Sequence, residues 1–203
     1  MIAIVDYGCG NLYSLESSLN SLGIESRITG DERTLDAADK IILPGVGAFG
    51  DAAEKLKSTR LDGVIKRQAA EGKYILGICL GMQMLFDKSY EYGEHNGLGL
   101  ISGIVCPFVD DIDRKLKIPH MGWNRLIFDK PNDPIATACG NDAYVYFVHS
   151  YYAKNCDASL VAHAEYDVNV PAIVNSGTVY GTQFHPEKSG KTGLAILSAF
   201  ANL

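Results

Sequence analysis

The stretch Gly77-Ile78-Cys79-Leu80-Gly81-Met82-Gln83 constrains this chain more than any other. It follows the apolar run Tyr74-Ile75-Leu76 directly and runs into a helix-like segment, the pattern of a strand that turns sharply into a helix. In such a turn the middle residue takes a strained backbone conformation. The flanking glycines leave room where a Cβ would strike the neighbouring strand and helix. The turn lifts the Cys79 sulfur out of the sheet and aims it into a cleft, near a helix N-terminus whose N–H groups favour an anion. A lone cysteine is more often a small buried apolar residue, and the two glycines in a strand–turn–helix setting set Cys79 apart. Cys9, also between glycines, has no matching partners and reads as a loop residue. Cys106, Cys139 and Cys156 stand in no motif and read as structural.

The first half of the chain alternates strand and helix signals. Residues 1–7 read as a buried strand, 11–22 as an amphipathic helix with Leu12, Leu15, Leu19 and Leu22 on one face, and 24–28 as a short strand. Residues 40–43 form a further strand that empties into the glycine-rich loop 44–50, and helices follow at 51–57 and 61–71. Repeated β-α units imply a parallel twisted sheet with helices on both faces. The second half is richer in strands, at 103–108, 123–128, 143–148, 159–165, 172–175 and 178–184, with a closing helix over 192–201. The expectation is a single α/β domain over residues 1–203, with a mostly parallel central sheet and a partly antiparallel second half.

A thiolate that attacks a carbonyl needs a base beside it and a third group to orient that base. Gln183-Phe184-His185-Pro186-Glu187-Lys188-Ser189-Gly190, at the exit of a strand, offers both in one turn, with Pro186 fixing the backbone between His185 and Glu187. His95, His120, His149 and His163 lack such a setting and read as structural or peripheral. Acyl transfer also needs N–H donors aimed at a developing oxyanion. The N–H of Leu80 can supply one, and the loop Pro44-Gly45-Val46-Gly47-Ala48-Phe49-Gly50 a second. The Gly8-Cys9-Gly10 segment lacks a third spaced glycine and an acidic partner, so it does not read as a dinucleotide site.

A net charge of −6 without a Lys/Arg run argues against nucleic acid as the main partner. Five cysteines without paired spacing suggest neither a disulfide framework nor a metal site. No apolar run approaches the ~20 residues of a membrane span. A chain opening directly on an apolar strand without a basic leader is expected in the cytoplasm.

With these segments assembled, the chain resembles the class I, triad-type glutamine amidotransferases, in which Gly-Ile-Cys-Leu-Gly-Met-Gln carries the nucleophile and His-Pro-Glu completes the triad. Within that class it is similar to the glutaminase subunits of imidazole glycerol phosphate synthases. The narrower resemblance rests on Asp6-Tyr7-Gly8-Cys9-Gly10-Asn11-Leu12, the loop 44–50, Pro119-His120-Met121-Gly122-Trp123-Asn124, Tyr146-Phe147-Val148-His149-Ser150-Tyr151-Tyr152 and His185-Pro186-Glu187-Lys188-Ser189-Gly190, in order along the whole chain. The resemblance implies Cys79 as nucleophile, His185 as base and acid, and Glu187 as its orienting group. It places the oxyanion hole at the N–H groups of Val46 and Leu80. It further implies that L-glutamine is held by Gly47, Gln83 and the main chain around His149, Ser150 and Tyr151. No cofactor and no metal are implied.

Ammonia released into water near neutrality is protonated and lost as a nucleophile, so a glutaminase feeding a synthesis must pass it across a closed interface. The resemblance implies a heterodimer with a (β/α)₈-barrel cyclase subunit, whose catalytic face is the C-terminal one. Trp123, the sole tryptophan, is read as an interface residue rather than core, with Asn11, Asn124 and Lys188 beside it. Three other readings stand against this one: a stand-alone cysteine hydrolase of similar fold, a non-enzymatic binding module, and a paralogue that serves another synthase such as one aminating a surface sugar.

Overall fold

The computed structural model describes residues 1–140 and 142–203. Its first half holds β1 (Ile2–Val5), α1 (Leu12–Ser21), β2 (Ser26–Thr29), α2 (Glu32–Ala37), β3 (Lys40–Gly45), α3 (Phe49–Ser58), α4 (Leu61–Ala70), β4 (Tyr74–Cys79) and α5 (Leu80–Met84). Then come β5 (Lys88–Ser89), β6 (His95–Asn96), β7 (Ile104–Pro107), β8 (His120–Arg125), β9 (Ile127–Phe128), α6 (Pro134–Cys139), β10 (Tyr144–His149) and β11 (Tyr151–Lys154). The chain closes with β12 (Leu160–Tyr166), β13 (Val168–Ser176), β14 (Val179–Thr182) and α7 (Gly190–Ala201).

The main sheet has eight strands in the order β2-β1-β3-β4-β14-β13-β12-β9. From β2 to β14 the neighbours run parallel, and from β14 onward they alternate antiparallel. The first-half strands are continuous apolar runs because both faces are covered. Ala3, Val5, Ile41, Leu43 and Ile75 pack on the side of α2 to α5, whereas Ile2, Ile4, Ile42, Leu76 and Ile78 pack on the side of α1, α6 and α7. This is the mixed α/β sheet expected from the sequence, and β14 is the strand that joins its two halves. Two small sheets, β10-β8 and β11-β7-β5-β6, hold the other strands of the described residues.

Several elements differ from expectation. Helices α2 and α6 and strands β5, β6 and β11 are additional, and the expected strand over 123–128 is two strands, β8 and β9, split around buried Leu126. Strand β13 runs to nine residues, through Pro171, where a shorter segment was expected. No helix of the described residues is long and apolar enough to cross a membrane.

Candidate active site

Two neighbours of β4 build the site. β3 pairs with β4 down to Gly45 opposite Cys79, and β14 pairs with it from the other side down to Thr182 opposite Ile78. All three strands are parallel, so the loops leaving their carboxyl ends converge on Cys79. Cys79 has φ +54° and ψ −112°, a strained conformation for a residue with a Cβ, held because β4 hands over to α5 at that residue. The flanking glycines are required by contact. A Cβ on Gly81 would lie 1.9 Å from the Leu43 carbonyl oxygen, and one on Gly77 would lie 2.7 Å from the Gly81 oxygen and the Met82 nitrogen.

His185 and Glu187 follow β14, with Glu187 in a single 3₁₀ turn, Pro186–Lys188, that starts on Pro186. His185 Nδ1 and Glu187 Oε1 are 2.9 Å apart, and both side chains are almost fully buried. Asn11 Nδ2 donates to the same Oε1 at 3.4 Å. The turn is tied to β10: the His185 N–H donates to the Tyr146 oxygen, the Tyr146 N–H donates to the Ser189 hydroxyl, and that hydroxyl donates to the His185 oxygen at 2.7 Å. Burial alone would keep the His185 ring neutral. Hydrogen bonds and charge from Cys79 and Glu187 outweigh it and raise the ring to about 9. Such a ring is protonated near neutrality.

Cys79 opens into a cleft of about 380 Å³. Its lining includes Val46, Gly47, Leu80, Gln83, His149, Ser150, Tyr151, His185 and Lys188, so the structure gathers the expected oxyanion and glutamine residues around the thiol. Glu187 stands behind His185, outside the cleft. His149, expected to be structural or peripheral from its surroundings in the sequence, lies in the cleft wall and pairs with buried His120 at 3.0 Å. His163 and His95 remain away from it: His163 binds Asp129 at 2.8 Å, and His95 packs against Phe49. Burial pushes the thiols of Cys139 and Cys156 up to about 12, in keeping with structural roles.

Of the expected interface residues, Trp123 is 58% exposed and Met121 beside it 63% exposed, which excludes core packing for the indole. Trp123 reaches over the triad loop, 3.9 Å from the Cβ position of Gly190. The Asn11 and Asn124 side chains are turned inward, Asn11 to Glu187 and Asn124 to His120 and the Glu165 carbonyl.

Sequence reasoning missed three residues. Gln183, wholly buried, points its Nε2 at the Cys79 sulfur from 3.9 Å and accepts from Gln83 Nε2 at 3.0 Å. Glu91 lines the cleft and accepts from the Phe49 N–H at 2.6 Å, at the first turn of α3, while burial raises its carboxyl above the usual range. Tyr7, buried, donates its hydroxyl to the Pro44 carbonyl at 2.9 Å and so pins the start of the 44–50 loop. Gln183 adjoins the His-Pro-Glu segment in the sequence. Glu91 and Tyr7 act on residues distant in sequence and left no local signal.

The family described as Glutamine amidotransferase class-I matches residues 3–202. The imidazole glycerol phosphate synthase subunit HisH of Bacillus velezensis is 47% identical over 206 residues, covering 100% of this chain and 96% of that protein. The HisH subunit of Lactiplantibacillus plantarum is 48% identical, over 100% and 96%. Among solved structures, a glutamine amidotransferase superposes with a TM-score of 0.77 at 17% identity over the full length of both chains. PurLQS of Thermotoga maritima does so with a TM-score of 0.74 at 24% identity, over 99% of this chain and 97% of that one. The solved structures share the fold, and the curated relatives share nearly half the residues from end to end: this chain belongs to the class I glutamine amidotransferases.

Proposed function

We propose that this chain is the glutaminase subunit of an imidazole glycerol phosphate synthase, cutting L-glutamine into glutamate and ammonia for a second subunit. The observation that carries the chemistry is the strained Cys79 lining one cleft with His185, whose Nδ1 is bonded to Glu187 Oε1. The Cys79 thiolate attacks the side-chain amide carbon of glutamine. The oxyanion that forms takes N–H donors from Leu80 and Val46. His185, oriented by Glu187, gives its proton to the departing nitrogen, the C–N bond breaks, and ammonia leaves a glutamyl thioester. His185 then draws a proton from water, the hydroxide attacks the thioester, and glutamate is released as the proton returns to the His185–Cys79 pair. Gln83, Gly47 and the Ser150–Tyr151 main chain hold the amino-acid end, and the Glu91 carboxylate suits its α-ammonium group.

The relatives' role as imidazole glycerol phosphate synthase subunits, at 46–48% identity over nearly their whole length, supports the narrower reading. The partner in this reading is a cyclase subunit with a (β/α)₈ barrel, seated over Met121, Trp123 and Lys188 as a cytoplasmic heterodimer. It takes up ammonia before the ammonia meets bulk water. The test measures glutamine hydrolysis by the purified chain with and without the cyclase subunit and its nucleotide ligand. Slow turnover alone and activation of at least about tenfold in the complex, a coupling of about 1.4 kcal/mol, are expected. Full turnover alone overturns the reading in favour of a stand-alone hydrolase. Failure of Cys79 to be alkylated by a glutamine-like diazo ketone would favour a binding module.

A further inference from the structure

Apart from the triad, two buried histidines face each other across the β8–β10 ladder. His120 and His149 are register partners, 3% and 6% exposed, with their ring planes at 67°. Their hydrogen bonds make one directed chain. Asn124 Nδ2 lies 3.3 Å from His120 Nε2, His120 Nδ1 lies 3.0 Å from His149 Nε2, and His149 Nδ1 lies 2.8 Å from the Tyr151 carbonyl oxygen.

The chemistry of the two ends fixes every proton between them. A carbonyl only accepts, so His149 carries its proton on Nδ1. Burial holds both rings neutral, at about 4 for His120 and about 3 for His149. His149 Nε2 therefore accepts, and His120 donates to it from Nδ1. His120 Nε2 is left as an acceptor, and it faces an amide NH₂ that can only donate. One assignment satisfies the whole chain.

That chain ends on a carbonyl with a second donor. Gln83 Nε2 also reaches the Tyr151 oxygen, at 3.0 Å, and leads through Gln183 to Cys79. The neighbouring Ser150 carbonyl accepts from the Phe108 N–H at 3.1 Å. Both carbonyls of the Ser150–Tyr151 segment are thus tied back into the protein. Packing does not require histidine here. The other inward positions of β10 are Val145 and Phe147, and an apolar residue would avoid the cost of burying an imidazole.

We propose that His120 and His149 are a positioning pair that holds the Ser150–Tyr151 main chain, one wall of the glutamine cleft, in its binding orientation from strand β8. The role of that wall in binding glutamine rests on the glutaminase reading above. Anchored through Asn124 beside the exposed Met121 and Trp123, the pair also gives β8 a direct mechanical link to the cleft.

The test compares kcat and KM for glutamine in the full-length chain, wild type against His149→Leu, His149→Asn and His120→Phe. A carboxamide Nδ2 stands where imidazole Nδ1 stands, so Asn at 149 keeps the donor to Tyr151. Loss of one hydrogen bond to the wall is expected to raise KM about tenfold in His149→Leu, with a smaller fall in kcat. His149→Asn recovers most of that, and His120→Phe raises KM about threefold by freeing the His149 ring. Long-range ¹H–¹⁵N spectra of wild-type protein at pH 7 should show both rings as neutral Nδ1–H tautomers. KM unchanged in a folded His149→Leu, His149→Asn no better than His149→Leu, or an Nε2–H tautomer at either ring would each overturn the proposal. A wild-type chain that hydrolyses no glutamine even with the cyclase subunit would overturn the glutaminase reading instead, and the tautomers still report on the pair.

Discussion

Glu187→Gln separates the charge behind His185 from the geometry that charge sits in. Glu187 Oε1 accepts from two donors, His185 Nδ1 at 2.9 Å and Asn11 Nδ2 at 3.4 Å. Those two N–H groups select the oxygen of a glutamine amide at the same place, so the hydrogen bond and the tautomer survive, the charge is lost, and the amide NH₂ falls where the buried Oε2 has no partner. Burial pulls His185 toward neutrality, and Cys79 and Glu187 together lift it from 6.5 to about 9. That interval is worth roughly 3 kcal/mol at ~1.4 kcal/mol per pH unit. A hydrogen bond to a charged acceptor exceeds one to a neutral acceptor by about 1–1.5 kcal/mol. The substitution should therefore lower the His185 titration by about one pH unit. The protonated ring supplies the proton that leaves with ammonia, so kcat/KM falls as pH rises through about 9 in the wild type. In Glu187→Gln the same alkaline limb moves down by about one unit, while rates near pH 7 stay within about tenfold. The stability linkage has the same sign. A histidine raised in the folded state adds stability that is fully present below about 6.5 and is lost as pH rises through about 9. Thermal unfolding of the wild type should weaken across that window, and more shallowly in the variant. An unmoved alkaline limb would refute the role given to the charge. A uniform loss of ~10⁴ at every pH would show that the amide had turned and changed the tautomer.

Cys79→Gly and Cys79→Ala should both abolish turnover, with the glycine variant the more stable by about 1 kcal/mol, because both lose the thiol and only glycine relieves strain of about 1–3 kcal/mol at φ +54° against its smaller entropy cost; an alanine variant at least as stable as the glycine one would show that the elbow is not strained. Tyr7→Phe leaves the Pro44 carbonyl without its donor. It should cost about 1–2 kcal/mol in denaturant unfolding and slow thioester formation by about tenfold through a displaced 44–47 loop; a stability loss with unchanged single-turnover rates would sever Tyr7 from the oxyanion loop.

What the sequence disclosed and what it concealed divide along physical lines. The strands β1, β3 and β4 were legible because burial on both faces makes them unbroken apolar runs, and α1 because Leu15 and Leu19 recur at helical spacing. Helix α2 offers one buried residue, Leu35, in six, too few to show a period, and only its Asp31 cap marks it. Strands β10 and β11 are separated by Ser150 alone while belonging to different sheets, a switch that no local pattern encodes. In the site, Cys79, His185 and Glu187 were legible because each sits in a turn whose glycines or proline advertise the backbone it needs. Glu91, Gln183 and the His120–His149 pair owe their positions to tertiary pairing. Phe49 and Glu91 are 42 residues apart, and His120 and His149 are 29 apart, so nothing near them in the chain marks the contact.

The place of β14 between β4 and β13 also sets the order in which the protein acquires its reactivity. The thiol is delivered by the first half of the chain, whereas Gln183, which reaches the same sulfur, lies 104 positions further on, just ahead of His185. Parallel pairing over such a separation is slow, because the intervening loop must close before any contact rewards it. A nascent or truncated chain that has completed β4 therefore carries a cysteine with no base beside it. Closure of the sheet is in this sense the arming step, and partly made protein should be chemically harmless toward amides until β14 slots into place.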